Sequence, residues 1–137
     1  MNLAQLRDLA VSVGFPDPDL AAAVAMAESG GNPNAYGDAQ YGGSVGLWQI
    51  NLPSHPGVTA SQLYDPTFNA QAAYQISNGG TNWTPWTTYN TGAYKQFYFP
   101  HATPANAWGT AAAIVGLTGA IAYALTVKPV RRRRRYA

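Results

Sequence analysis

The chain contains no cysteine, a single glutamate and few charged side chains. Only 10% of its 137 residues are Asp, Glu, Lys or Arg, and its two histidines, His55 and His101, each stand beside a proline. The lack of cysteine excludes disulfide bonds, thiolate zinc sites and iron–sulfur clusters from this chain. Histidines next to prolines are typical of loops, so we expect no metal site and no cofactor.

The few charges are divided between two parts of the chain. Residues 1–100 carry six acidic and two basic side chains, a net charge of −4, whereas residues 128–137 carry Lys128 and the five arginines 131–135, a net charge of +6. A mildly acidic domain gives no support for nucleic-acid binding by that domain. The basic tail, in contrast, suits anionic lipid or packaged nucleic acid.

Apolar spacing and capping residues predict a small, mostly helical domain in residues 1–99. Helices are expected over residues 2–13, from Asp17-Pro18 to Glu28 or Ser29, from Asp65-Pro66 to Ile76, and around residues 94–98. Between the second and third of these, residues 41–44 predict a turn between short strands, with Val45 to Ile50 as the better strand candidate. The pattern therefore predicts a mostly α domain with a small β-hairpin insertion.

The C-terminal part of the chain contains an apolar stretch that is long enough to cross a membrane. After a Pro-containing linker at residues 100–107, residues 108–127 hold no charge and are followed directly by the basic tail at residues 128–137. Twenty helical residues span about 30 Å, the thickness of the hydrocarbon core of a bilayer. We expect a transmembrane helix over residues 108–127; the alternative is a buried final helix of the globular domain.

Glu28 is the strongest candidate for a catalytic group. It ends the Ala-rich second helix and is followed by Ser29, Gly30 and Gly31. The negative end of a helix dipole and apolar neighbours both favour the protonated form of a carboxyl group, which is the form that a general acid needs. The alternative on these grounds alone is a polar residue that merely ends a helix.

Three short motifs give the chain a specific resemblance. Residues 27–33 (AESGGNP), 46–50 (GLWQI) and 89–92 (YNTG) occur in the same order as the three-part signature of SLT-type lytic transglycosylases. The chain thus resembles this family of the lysozyme-like superfamily, which also holds goose-type lysozymes, over about residues 18–98. Trp48 and Thr91 depart from the methionine and alanine that are usual there.

The resemblance implies a lysozyme-like α+β fold and a peptidoglycan lytic transglycosylase that cleaves the β-1,4 bond between MurNAc and GlcNAc to leave 1,6-anhydro-MurNAc ends. Glu28 is then the catalytic acid and base, and the peptidoglycan glycan strand is the partner. Substrate contacts are expected from the remaining motif residues and one aromatic neighbour: Ser29, Gly46, Leu47, Gln49, Trp86, Tyr89 and Asn90.

Two other functions remain open. A hydrolytic lysozyme needs a second carboxylate, for which Asp38 is the candidate in the hairpin region, although a turn residue is the simpler interpretation of Asp38. A structural or glycan-binding virion protein would keep the fold without catalysis.

The location expected for the chain follows from its two ends. Residues 1–8 lack the basic segment and apolar run of a secretory signal. Basic residues beside a membrane span usually face the cytoplasm, so the catalytic domain is expected on the side opposite to the tail. We therefore expect a bacteriophage protein in the internal membrane of a virion, or a protein of the bacterial envelope.

Overall fold

The computed structural model describes residues 1–101. Within it, Met1–Pro100 form one compact unit. In that described part, no helix has both the length and the apolar character that crossing a bilayer requires. The predicted linker beyond residue 101, the predicted transmembrane helix 108–127 and the basic tail 128–137 lie outside the described residues.

The first two helices begin and end where their capping residues predict. Helix α1 spans Leu3–Val13 and helix α2 spans Pro18–Ser29. The side chains of Asn2 and Asp17 accept hydrogen bonds from backbone amides in the first turn of α1 and of α2, respectively. Both helices end at a left-handed glycine, Gly14 after α1 and Gly30 after α2, as the sequence predicts.

A small antiparallel sheet follows α2 and corrects one prediction. Its strands β1 (Tyr36–Gly37), β2 (Ser44–Val45) and β3 (Ile50–Asn51) pair in the order β1-β2-β3. The prediction of a single strand from Val45 to Ile50 is wrong, because a turn divides it. Gly46 and Gln49 take positive φ angles of 81° and 47°, which no extended strand accommodates.

Three further helices complete the described part of the chain. They are α3 (Ala60–Leu63), α4 (Pro66–Ile76) and α5 (Thr87–Asn90). Helix α4 begins at the predicted Asp65 cap, and a 3₁₀ turn at Ala93–Phe97 replaces the short helix predicted at residues 94–98. The four-residue helices α3 and α5 were not predicted, since they are too short to show an apolar period.

The core fixes the turn between β2 and β3 against the helices. Trp48, at the tip of this turn, is fully buried, and its indole Nε1 donates to the carbonyl of Ala21 in α2 at 3.1 Å. Asn69 of α4, also fully buried, accepts from the Trp48 amide at 2.9 Å and donates to the carbonyls of Val45 and Leu63. The fold is therefore mostly helical with a small sheet, and the sheet is held at a fixed place by contacts with α2 and α4.

Candidate active site

A cavity of about 590 Å³ lies where the end of α2, the small sheet and the start of α5 meet. Glu28 faces it from α2, and Thr87 and Thr88 face it from α5. The sheet side supplies polar groups, Asp38, Ser44, Gln49 and Asn51 among them. A cavity of this size with several polar groups on its wall suits a polar ligand of more than one ring.

Glu28 is held by a residue from a distant part of the chain. The side chain is half-buried at the last turn of α2, and the Thr88 hydroxyl donates to its Oε1 at 2.6 Å. The backbone of Thr88 likewise favours the charged form of this carboxyl group. One carboxyl oxygen is thereby fixed, which leaves the other to carry a proton.

The same hydrogen bond joins Glu28 to the start of helix α5. Its N-cap residue, Trp86, provides no side-chain hydrogen bond to the amides of the first turn. Thr88, in that first turn, donates from its hydroxyl group to Glu28. The packing of α5 beside α2 therefore orients the carboxyl group.

Burial raises the pKa of Glu28 above its ordinary value of 4.5. The nearby charge of Asp38 raises it further, whereas the hydrogen bonds from Thr88 lower it. The direction agrees with the one expected from the sequence, but the Thr88 contribution was not foreseen. A carboxyl group in this setting keeps its proton to a higher pH than a free glutamic acid does, and it can still be stabilised after it loses the proton.

Asp38 has two structural roles. Its backbone carbonyl accepts from the amides of Tyr41 and Gly43, and its φ angle of 52° is left-handed, so it builds the turn after β1. Its side chain also lines the cavity, where Oδ2 accepts from the Ser44 hydroxyl at 3.0 Å. The two interpretations of Asp38 from the sequence, turn residue and second carboxylate, are thus compatible.

Gln49 lines the cavity, and the NH₂ group of its side chain is already hydrogen-bonded within the protein. Its Nε2 donates to the carbonyls of Ala35 and Gly46, at 3.2 and 3.0 Å. A Cβ at Gly37 would lie 2.5 Å from Gln49 Oε1, so this glycine allows the amide to lie against the sheet. Only Oε1 remains to accept a hydrogen bond from a ligand.

Trp86 lines the cavity with a small part of its surface. The side chain is 5% exposed, and its Nε1 donates to the carbonyl of Trp48 at 2.8 Å. Trp48 in turn donates to Ala21, so two indoles connect the start of α5, the sheet turn and α2. Trp86 is therefore mainly a rigid wall of the cavity.

The structure does not bring the other predicted contact residues to the cavity wall. Ser29 donates to the Ala25 carbonyl and accepts from the Gly31 amide, so it closes helix α2. Gly46 and Leu47 are buried, and a Cβ at Gly46 would collide with Asn69.

Tyr89 and Asn90 also lie outside this wall. The ring of Tyr89 stacks on Tyr94, with 5.0 Å between the ring centroids, and Asn90 donates to the Thr84 carbonyl. Successive residues of a helix point about 100° apart, so the motif residue Tyr89 turns away where its neighbour Thr88 faces Glu28.

Several residues on the wall were not predicted from the sequence. They include Thr88, Ser44, Asn51 and His55. Each is short or polar and stands in a loop or in an element of four residues or fewer, so no local pattern marks it, and the sequence identifies His55 only as a loop residue. Among residues 1–101, no group of three His, Cys, Asp or Glu side chains is placed to hold a metal ion.

Comparison with known proteins gives one match. The family model described as a lysozyme-like domain matches residues 7–88, which is more than half of the chain. The matched segment contains Glu28, Asp38 and Thr88, the residues that form the carboxyl environment described above. No curated protein and no solved structure matches the chain.

Proposed function

The chain belongs to the lysozyme-like domain family, and we propose that it is a lytic transglycosylase. Membership of this family suggests an enzyme that cleaves the glycan strands of peptidoglycan. The proposed substrate is the β-1,4 bond between MurNAc and GlcNAc, and the proposed products carry 1,6-anhydro-MurNAc ends. The observation that carries this proposal is Glu28, half-buried, with a raised pKa and one oxygen held by Thr88, at the wall of a polar cavity.

A single carboxyl group can carry out both steps of this reaction. Protonated Glu28 gives its proton to the glycosidic oxygen as the bond to C1 breaks. The resulting carboxylate then removes the proton of the C6 hydroxyl of the same MurNAc residue as that oxygen attacks C1. Glu28 ends protonated again, and no water is consumed. The hydrogen bonds from Thr88 stabilise the carboxylate that exists between the two steps.

A hydrolytic lysozyme is the second candidate, and a specific observation favours it. Asp38 lines the same cavity as Glu28, and its charge acts on the pKa of Glu28. In a hydrolase, Asp38 would activate water or stabilise the charge that develops at C1. The residues Ser44 and Gln49 would then position the second carboxylate and the sugar.

Mass spectrometry of digested peptidoglycan separates these functions. Purified peptidoglycan is incubated with the full wild-type chain, with Glu28→Gln and with Asp38→Asn. Anhydro ends that are lost only in Glu28→Gln support the transglycosylase. Reducing ends that are lost in both variants support the hydrolase. If the wild-type chain releases no product, a structural or glycan-binding role replaces both.

We also propose that residues 108–127 anchor the protein in a membrane and that the arginines at 131–135 bind anionic lipid or packaged nucleic acid. This proposal rests on the charge-free stretch and the tail that follows it. A location in the internal membrane of a bacteriophage particle, or in the bacterial envelope, brings a wall-cutting domain next to peptidoglycan, for penetration of the wall or for lysis.

Membrane anchoring is tested by flotation with vesicles of neutral lipid. The full chain should float with the vesicles, and a chain that ends at residue 107 should not. If the full chain stays at the bottom of the gradient, residues 108–127 do not anchor it. Binding of the same chain to DNA, with a steep loss of affinity as salt rises, would instead assign the tail to nucleic acid. Absence of the protein from the membrane fraction of detergent-treated virions would refute the virion location.

A further inference from the structure

A second cavity, of about 400 Å³, adjoins the cavity that contains Glu28. The two share the residues Ile50, His55 and Ile76, which form the boundary between them. Any ligand long enough to leave the first cavity over this boundary therefore enters the second. The occupant of the second cavity is thus expected to be another part of the same substrate molecule.

The two cavities differ in chemistry. The first has two carboxyl groups and several hydroxyl and amide groups, which can satisfy the hydroxyls of a sugar. In the second, apart from His55 at the boundary, the polar side chains are only Gln71 and Gln75, and the rest of the wall includes Val58, Phe68 and Ala72. A sugar ring placed there could replace only a few of the hydrogen bonds that its hydroxyls make to water, which is costly.

The two glutamines are spaced for an extended peptide. Gln71 and Gln75 are four residues apart on α4, so their side chains lie on one face, about 6 Å apart along the helix axis. Two residues of an extended peptide span roughly 6.6 to 7 Å. Both side chains are exposed, and within residues 1–101 neither has a hydrogen-bond partner. A glutamine amide can both donate to and accept from a peptide backbone.

We propose that the second cavity binds the peptide substituent of the peptidoglycan whose glycan strand lies in the first cavity. Small side chains of the peptide contact Val58, Phe68 and Ala72, and its backbone bonds to Gln71 and Gln75. His55, at the boundary, faces the point where the substituent leaves the sugar. The inference rests on the proposed function, because it assigns a binding site to the peptide that the proposed glycan substrate carries beside the scissile bond.

The test uses two forms of one substrate and the full chain. Glycan strands that carry their peptides are compared with the same strands after an amidase has removed the peptides. The variant is Gln71→Ala with Gln75→Ala; alanine is the best helix former, and both sites are exposed, so α4 should fold normally. Thr67→Ala is the matched control, because Thr67 is exposed on the same helix and lies outside both cavities.

The wild-type chain and the control should cleave peptide-bearing strands with a kcat/KM about tenfold higher than that for peptide-free strands, which corresponds to about two hydrogen bonds. The double variant should lose this preference, mainly through KM, and should match the wild type on peptide-free strands. Equal losses on both substrates, or an unchanged preference, would overturn the inference. If the wild-type chain cleaves neither substrate, the proposed function itself fails, and the inference fails with it.

Discussion

At the residue scale, the pKa of Glu28 is set by opposing effects, and Thr88 limits how far the pKa rises. Burial and Asp38 raise the pKa, and Thr88 lowers it. Thr88→Val removes the hydroxyl but keeps the shape of the side chain. The pKa of Glu28 should rise further, so the alkaline limb of the kcat/KM profile should move to higher pH. At neutral pH, kcat should fall about tenfold, because a hydrogen bond to a charged group contributes about 1.5–3 kcal/mol.

Thr88→Ser provides the control for this change, since it retains the hydroxyl group at the same position. Its pH profile should follow that of the wild-type chain. A purely structural role for Thr88 would lower the activity of Thr88→Val at every pH without moving the limb, and that result would contradict the prediction.

Ionised Glu28 should also destabilise the folded domain at neutral pH. Because its pKa is raised in the folded state, the folded protein binds this proton more tightly than the unfolded chain does. Stability is therefore lost as the pH rises from 4.5 through the folded-state pKa. Glu28→Gln does not titrate, so at pH 7 its Tm should exceed that of the wild type by up to a few degrees.

This difference should vanish at pH 4, where Glu28 is protonated in both states. Calorimetric scans of both chains at the two pH values measure it. Asp8→Asn, which removes an exposed negative charge, controls for the general effect of charge. A Glu28→Gln chain that is less stable than the wild type at pH 7 would show that the hydrogen bonding of Glu28 to Thr88 outweighs the cost of its burial.

The sequence identifies Glu28 as the candidate acid more readily than it identifies the residues around Glu28. Glu28 is marked by its helix end and by the glycines after it, Gln49 by its motif, and Trp86 by its place in an aromatic-rich segment; all three reach the cavity. Thr88 lies 60 residues from Glu28, and the motif begins one residue later, at Tyr89. A contact of this kind depends on how α5 packs against α2, which local patterns do not specify.

At the element scale, prediction succeeds where a single side chain fixes a boundary. Asn2, Asp17 and Asp65 each accept a hydrogen bond from the first turn of a helix, and each was recognisable from the sequence. The strand predicted over Val45 to Ile50 fails for the opposite reason. Its break depends on a tertiary contact, because Asn69 of α4 binds the backbone just before the turn, at Val45, and within it, at Trp48.

The hydrogen bonds of Asn69 should be essential for the sheet turn. Asn69→Leu keeps a side chain of similar size but leaves the Trp48 amide and two carbonyls without their partner. The free energy of unfolding should fall by about 3–5 kcal/mol, since each buried unsatisfied group costs about 1–3 kcal/mol. Urea denaturation of the full chain measures this value. Asn34→Leu, at an exposed site, should change it by less than about 0.5 kcal/mol.

Tyr98 connects the end of the domain to the start of α2. Its hydroxyl donates to Asp17 Oδ2 at 2.7 Å, while Oδ1 of the same carboxylate caps α2. Burial, and then the bond to Asp17, raise the pKa of Tyr98 from 10 to about 12. Tyr98→Phe should destabilise the domain by about 1 kcal/mol at pH 7.

The stabilising effect of Tyr98 should decrease as the pH rises. The folded state retains the phenol proton more strongly than the unfolded chain, so the contribution of Tyr98 is complete below pH 10 and is lost as the pH rises towards 12. Absorbance titration should show one tyrosine that titrates near pH 12 and is missing from Tyr98→Phe. If the tyrosine that is missing from Tyr98→Phe titrates near pH 10 instead, the bond to Asp17 does not persist in solution.

At the scale of the whole molecule, the net charge differs in sign between the two ends of the sequence. Residues 1–100 have a net charge of −4, and the five arginines lie at 131–135. Each basic residue near an anionic membrane contributes about 1 kcal/mol. Replacement of all five arginines by glutamine should therefore weaken binding to anionic vesicles by at least about 100-fold at low salt. Binding to neutral vesicles should change little, and an equal loss on both would contradict the prediction.

The indoles around the cavity also have an optical consequence. Three of the four tryptophans, Trp48, Trp83 and Trp86, are buried together, with 5.0 Å between the rings of Trp83 and Trp86. Trp86 is at the same time part of the cavity wall. Excitation energy moves readily between rings so close, and a sugar bound in this cavity, as proposed, would alter the solvent around the edge of Trp86. The proposed glycan site thus contains its own fluorophore, and binding can be tested by recording its emission without a label.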